Sequence, residues 1–312
     1  MLPLCYNVTV KYNIVVTLNE SWSPLPLNTL QADQRPVTVC RGREFLWGSR
    51  TYVMGIINVT PDSFSGDGLG NSVDAALAQA LRFEEEGADI LDVGGHSTRP
   101  GHSPITQQEE LSRVVPVIER LARETGLTIS IDTFFSQVAL RALDCGASMV
   151  NDQWALNYDP EMAGVVAEAG VPIVLMHNQH GTEYSNLIPD ITASLKESVT
   201  KARQAGIPLQ NIIIDPGLGF GKTLEHNLEV VRRLPELTGL ASALLVGPSR
   251  KSMIGRVLDL PVDQRVEGTG AVLALSIANG ADIVRVHDVK EMVRVCRMTD
   301  AIVRGLSSQH PQ

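Results

Sequence analysis

The sequence predicts an α/β fold, a (β/α)8 TIM barrel with an N-terminal β-hairpin extension. Three observations predict it. Apolar, β-rich runs alternate with helical patterns from about residue 51 onward, and such alternation implies parallel strands joined by right-handed crossovers. The alternation repeats eight times, which favours a closed barrel over an open doubly wound sheet. Nearly every strand also ends, on its C-terminal side, in a polar or glycine-rich cluster. That rim is where the active sites of barrels are built.

The units run in order. The stretch Tyr52–Ile57 is almost continuously apolar, as a strand covered on both faces should be. A helix is predicted over Asp74–Glu86, where Ala76, Ala80 and Phe83 recur at roughly helical spacing, and Asp89–Val93 returns as a strand. Helix Gln107–Glu124 leads to strand Leu127–Ile131, helix Ser136–Asp144 to strand Ser148–Val150, and helix Pro160–Ala169 to strand Pro172–Leu175. Helix Ile191–Ala205 precedes strand Asn211–Ile214, and helix Leu224–Leu234 precedes strand Ala243–Val246. One long helix, Pro261–Asn279, leads to strand Asp282–Val286, and helix Val289–Val303 closes the series.

Residues 51–312 are thus assigned to the barrel and residues 1–50 to an extension. Within the extension Val8–Leu18 and Val37–Leu46 are β-like. The second run has Arg41-Gly42 at its centre and reads as a hairpin closing the barrel's bottom. No chemistry is assigned to residues 1–35.

Composition bounds the function. A chain of 312 residues accommodates one barrel of about 250 residues plus an extension. Its 26 Lys+Arg against 35 Asp+Glu give a formal charge of −9. That balance argues against a general nucleic-acid surface, yet a local basic cluster can still hold a phosphate. The four cysteines are scattered with no Cys-x-x-Cys pair, which argues against a structural zinc or a disulfide framework. No run of about 18 uninterrupted apolar residues predicts a membrane span. The N-terminus lacks the order of a secretory signal, and the cytoplasm is the default expectation.

The rim clusters are Asn58–Ser65, Gly94–Gly101, Asp132-Thr133, Asn151-Asp152, Met176–Asn178, Asp215–Lys222, Gly247–Ser252 and Arg285–Asp288. The barrel rule places all eight at one mouth. The first, Met54-Gly-Ile-Ile-Asn-Val-Thr-Pro-Asp-Ser-Phe-Ser65, resembles the signature of the dihydropteroate synthases. Gly-Gly-His-Ser-Thr-Arg-Pro-Gly101, Ser130-Ile-Asp-Thr133, Asp215–Lys222, Ser-Arg-Lys-Ser252 and Arg285-Val-His287 resemble further motifs of that family in the same order. The similarity spans about residues 51–305. Any one motif is only suggestive, while the set is highly specific.

The resemblance implies a transferase that displaces diphosphate from 6-hydroxymethyl-7,8-dihydropterin diphosphate with the amine of 4-aminobenzoate, in folate synthesis. It implies Mg2+ as cofactor, with Asn58 as the metal residue, and a homodimer. Asp132, Lys251, Arg285 and His287 are the implied catalytic group. Asn151 and Asp215 would read the pterin edge beside them, with Met176 as an apolar wall. Thr98, Arg99, Phe220 and Ser252 would form the aminobenzoate pocket, Asp62, Ser63 and Phe64 a closing first loop, and Lys222 a further substrate-binding group. Blander alternatives exist for single residues: helix N-capping for Asp132 and Asp215, a turn before Thr-Pro for Asn58, a capping role for His287.

Several positions depart from the family pattern. His96 stands where that loop commonly has Glu, Pro248 replaces a commoner Thr, loop one continues Ser65-Gly66-Asp67-Gly68, and bulky Trp154 follows Asn151-Asp152. These leave open a sulfonamide-insensitive form. Two rival readings also stand at this point: a methyltetrahydrofolate-dependent methyltransferase domain, and a non-catalytic pterin-binding protein.

Overall fold

Strands that are apolar on both faces must be covered on both, and here the chain does so by closing on itself. The computed structural model describes residues 35–59, 73–96 and 105–305. It opens with the antiparallel hairpin β1 (Val37–Cys40) and β2 (Arg43–Leu46). Arg41 and Gly42 both take positive φ between them, 51° and 75°, the turn whose twist matches a two-residue hairpin. Eight parallel strands follow: β3 (Tyr52–Asn58), β4 (Ile90–Gly94), β5 (Thr128–Asp132), β6 (Met149–Asp152), β7 (Ile173–Met176), β8 (Ile212–Asp215), β9 (Ala243–Val246) and β10 (Ile283–Val286). They form a closed barrel in which β10 pairs with β3.

The hairpin covers the bottom. Phe45, Trp47 and Tyr52 pack against one another with ring centroids 5.0–5.4 Å apart, Phe45 stacked on Trp47 and Tyr52 set edge-on to Trp47. The Trp47 indole N–H donates to Thr38 Oγ1 at 2.8 Å, and the Cys40 thiol donates to the Ser148 carbonyl at 2.8 Å. This aromatic plug continues into an inner layer of Met54, Ile90, Met149, Val174, Ile213 and Ile283. The alternate strand residues, among them Val53, Leu91, Ile131, Val150, Ile214 and Val284, belong to the outer core under the helices.

Strand alternation then dictates what lies above the plug. Two residues on from Ile90, Met149, Val174, Ile213 and Ile283 come Asp92, Asn151, Met176, Asp215 and Arg285, on the same face of each strand. The interior thus changes from hydrocarbon to charge within one layer.

Around the barrel run α1 (Val73–Glu86), α2 (Gln107–Glu124), α3 (Ser136–Asp144), α4 (Met162–Ala169), α5 (Leu187–Gln204), α6 (Leu224–Arg232), α7 (Ser252–Leu258), α8 (Val266–Ala278) and α9 (Val289–Val303). Two of these differ from expectation. The long helix predicted over 261–279 is α8 alone, preceded by a separate α7 in a stretch to which the sequence assigned no element. Asp259 in the left-handed region (φ 57°) ends α7, and Pro261 then heads a short 3-10 turn, because proline cannot continue a preceding helix. Helix α5 starts at Leu187 rather than Ile191, since Pro189 sits in its first turn, where a missing N–H costs nothing. Among the described residues no helix is long and apolar enough to cross a membrane, and Cys40, Cys145 and Cys296 are free thiols.

Candidate active site

Strand register brings the predicted rim together. Asn58 lies level with Gly94, Gly94 with Asp132, and Asp132 with Asn151, across β3 to β6. Met176 lies level with Asp215 across β7 and β8. On the closing side Val286 is level with Gly55, so His287, one residue on, stands at the same mouth as Asn58 on the adjacent strand.

Arg285 organises the interior of that mouth. Its Nε donates to Asp92 Oδ2 at 2.5 Å and its Nη2 to Asp132 Oδ2 at 2.7 Å. Asp92 Oδ2 accepts a second bond from Asn151 Nδ2 at 3.1 Å, and Asp132 Oδ1 accepts from Gln153 Nε2 at 2.5 Å. Asp92 is wholly buried, and its Oδ1 has no hydrogen-bond partner among the described residues. Burial pushes the Asp132 carboxyl above the usual carboxylate range, the Asp92 charge adds to this, and the Arg285 guanidinium opposes it. The Arg285 guanidinium thus favours the ionised form of a buried carboxylate, and an ionised carboxylate can meet positive charge that develops on a substrate.

The opposite wall is built by β8, β9 and the turns that follow them. Asp215 Oδ1 accepts the Gly217 N–H at 2.7 Å. Gly217 takes φ +70°, and a Cβ there would lie 2.0 Å from the His177 carbonyl oxygen, so only glycine fits. The Lys251 amine donates to the Leu218 carbonyl and sits 4.4 Å from the centre of the Phe220 ring, over its face. Burial holds the Lys251 pKa down to about 8, with Arg285 adding and Asp215 opposing. Burial likewise raises the Asp215 pKa, against the pull of Lys251.

Lys222 stands apart from the rest. Its amine is buried and contacts His177 Nδ1 at 3.0 Å, the Gly217 carbonyl at 3.1 Å and the Phe220 carbonyl at 3.1 Å. Three partners occupy its three donors, and they tie the loop that carries Phe220. Burial lowers its pKa to about 7 and that of His177 to about 3.

The turn after β9 is held from three sides. Arg250 adopts φ 57°; its N–H donates to Thr269 Oγ1 at 3.2 Å and its carbonyl accepts from Arg265 Nη1 at 2.9 Å. Its guanidinium binds Asp288 through Nε at 2.9 Å and Nη2 at 2.5 Å. This left-handed residue turns Lys251 inward, while Ser252 stays exposed at the first position of α7. Ser249 Oγ accepts the His287 N–H at 3.1 Å and lies 3.0 Å from His287 Nδ1, fixing the imidazole at the mouth.

The structure therefore gathers Asn58, Asp132, Asn151, Met176, Asp215, Phe220, Lys251, Arg285 and His287 around one opening. Asp62, Ser63, Phe64, Thr98 and Arg99 lie outside the described residues. Trp154 leans on His180 and Tyr158, with centroids 4.9 and 6.4 Å away. His96 meets the Phe134 ring edge-on at 5.4 Å. Asp92 and Gln153 were missed by sequence reasoning. Asp92 did leave a signal: a charge at an inward position of the otherwise apolar Ile90-Leu91-Asp92-Val93. Gln153 left none.

A charged mouth above a hydrocarbon plug is the active-site end of a barrel enzyme, and a family model described as "Pterin binding enzyme" matches residues 54–287. The chain is 49% identical over 278 residues to the dihydropteroate synthase of Bacillus subtilis, covering 89% of this chain and 98% of that protein. A crystal structure of dihydropteroate synthase from Clostridium difficile in the presence of pteroic acid matches with a TM-score of 0.80 and 49% identity, over 83% of this chain and 98% of that one. The Xanthomonas albilineans enzyme with 4-aminobenzoic acid matches with a TM-score of 0.82 and 42% identity, over 88% of this chain and 100% of that one. The chain belongs to the dihydropteroate synthase family, transferases of folate biosynthesis. The methyltransferase and non-catalytic readings fall away with that membership.

Proposed function

We propose that this mouth joins 6-hydroxymethyl-7,8-dihydropterin diphosphate to 4-aminobenzoate with the following division of labour. Asp215 and the Asn151 carbonyl oxygen accept the pterin's donor edge; Asn151 Nδ2 is already committed to Asp92. Lys251 donates to the pterin's carbonyl and ring nitrogen, and Met176 lines the ring's face. Arg285 and His287 bind the diphosphate. The C–O bond to the methylene breaks with its electron pair leaving on diphosphate, and Asp132, ionised, stabilises the resulting cation-like carbon. The neutral amine of 4-aminobenzoate attacks that carbon, and the acidic ammonium so formed loses its proton to water, so no dedicated base is required.

A divalent cation fits this donor set. The described residues contain no group of three or more His, Cys, Asp or Glu side chains able to hold a metal. Asn58 offers a single neutral oxygen from a half-buried strand end. Such a sparse contribution suits Mg2+ that keeps waters and takes its other ligands from phosphate. When bound it would offset charge on the leaving diphosphate.

The resemblance to the family assigns the aminobenzoate side to Phe220 and Ser252 together with Thr98 and Arg99, and to Asp62, Ser63 and Phe64 of the first loop. Lys222 serves this pocket by holding the Phe220 turn. Pro248 and His96 depart from the family pattern, and they are where insensitivity to a sulfonamide would arise. The exposed Leu275 of α8 and Met298 and Ile302 of α9 (55%, 64% and 71% accessible) support a homodimer through that helical face.

The observation that carries the reading is Arg285 bound at once to Asp92 and Asp132, two residues before His287 at the same end of β10. Its test is diphosphate release from purified protein given both substrates and Mg2+, with Arg285→Ala as control. No release by the unmodified protein sinks it.

A further inference from the structure

Gln153 follows β6 and is only 8% accessible. The two ends of its amide are treated unequally. Nε2 donates to Asp132 Oδ1 at 2.5 Å, whereas Oε1 is buried without a hydrogen-bond partner among the described residues. The carboxylate settles which end is which: it only accepts, and the reverse orientation would set oxygen against oxygen. A buried carbonyl without a donor is rare and costly. In a substrate mouth it calls for a donor that arrives with the ligand.

The chemistry of that donor is narrow. The diphosphate and the aminobenzoate carboxylate bring no N–H to the ends of β5 and β6, and the aminobenzoate amine arrives only with the second substrate, leaving the buried oxygen unmatched in the pterin complex that precedes it. The pterin's amino-pyrimidine edge is already taken by Asp215 and Asn151 in the proposed placement. What remains is the pyrazine half, which that placement sets beside Asp132. In a 7,8-dihydropterin that half carries a ring N–H at N8. In a fully oxidised pterin the same nitrogen carries a lone pair, which would face the Gln153 oxygen with repulsion.

We infer that Gln153 reads the oxidation state of the pterin. Its oxygen accepts the N8–H found only in the reduced ring, while its NH2 group holds Asp132 in place. The inference rests on the pterin placement proposed above.

Calorimetric titration of the full chain under anaerobic conditions, with 6-hydroxymethyl-7,8-dihydropterin and with 6-hydroxymethylpterin, tests it. The unmodified protein should prefer the reduced ring by about tenfold or more in Kd, the scale of rejection expected when a polar site is left unpaired. Gln153→Met, of similar size but with neither donor nor acceptor, should bring that ratio to within about twofold of unity by weakening only the reduced ligand. Gln153→Glu, which keeps an acceptor oxygen, should retain the preference and guards against a Met variant that misfolds. An unchanged ratio in both variants, loss of the ratio in both, or equal binding of the two rings by the unmodified protein overturns the inference. Binding of neither ring would instead overturn the pterin placement, and the inference with it.

Discussion

The guanidinium of Arg285 and the carboxylate of Asp132 meet at 2.7 Å although 153 positions separate them in the chain. One side chain is half-buried and the other is buried, so the pair is shielded from solvent and salt more than a surface ion pair would be. Asp92 shares the same guanidinium at 2.5 Å. One cation thus organises two carboxylates at the floor of the mouth.

A double-mutant cycle should show this coupling. Asp132→Asn and Arg285→Lys are each expected to lower kcat/KM by about two orders of magnitude, and the double variant by much less than the product, because neighbours that act as a unit are not additive. Steady-state kinetics of the three variants measures it. Full additivity would mean that the two side chains act independently.

Removing Asp92 should cost both fold and function. Its buried oxygen holds Arg285 and Asn151 together, and stripping one partner from a buried pair typically costs roughly 3–5 kcal/mol. Asp92→Ala is therefore expected to shift the urea midpoint strongly. Asp92→Asn, which keeps the shape, should retain more stability but raise KM for the pterin diphosphate. An Asp92→Ala variant as stable as the parent would contradict the network.

The activity should be bounded on both sides of neutrality. Asp132 acts as an anion and its pKa is raised, so activity is lost as pH falls through a value well above the ordinary aspartate range. Lys251 acts as a cation and its pKa is held down to about 8, so activity is lost as pH rises through that region. A pH profile of kcat/KM with both limbs close together checks this, and the pair of limbs belongs to the coupled cluster rather than to single residues. A flat profile from pH 5 to 10 would refute it.

Stability should fall as pH rises from mild acid to about 8 because of Glu110. This side chain of α2 is fully buried, and burial raises its pKa to about 8. The folded chain therefore keeps this proton to a higher pH than the unfolded chain does. The stabilisation is complete below the ordinary glutamate pKa and is lost as pH rises through about 8. Between pH 7 and 9 that one group should cost about 1.4 kcal/mol. Glu110→Gln should remove that slope, with the two melting curves converging in mild acid. Parallel melting temperatures across the range would count against it.

Gly217→Ala probes the turn under Phe220. The added Cβ would lie 2.0 Å from the His177 carbonyl at a φ of +70°, and a left-handed site filled by alanine costs on the order of 1–2 kcal/mol before any clash. The turn must move, so KM for 4-aminobenzoate should rise more than KM for the pterin. Equal effects on both would show that the turn does not shape the aminobenzoate side.

Much of this architecture was legible locally. Eight strand–helix units, the hairpin turn at Arg41-Gly42 and the rim clusters all depend on residues a few positions apart. Hydrophobic periodicity and turn chemistry act at that range. Strand ends located the rim clusters that hold Asn58, Asp132, Asn151, Met176, Asp215, Lys251, Arg285 and His287, while the role of each came from the resemblance to the family. Helix α7 was not legible: its seven residues, SMIGRVL, are too short to establish a period and follow a turn rich in Gly, Pro and Ser.

The ion pairs were beyond reach for a different reason. No pattern in Ile90-Leu91-Asp92-Val93 says that Asp92 will meet Arg285, because that contact exists only once β10 pairs with β3 and closes the ring. The orientation of the Gln153 amide and the threefold hold on Lys222 likewise depend on which strands stand opposite one another. Short-range preferences select the elements and the face each residue takes. Which charges meet, and which buried oxygen is left over, follows from the geometry of closure, where side chains from distant segments compete for the same few partners in a space that water does not reach.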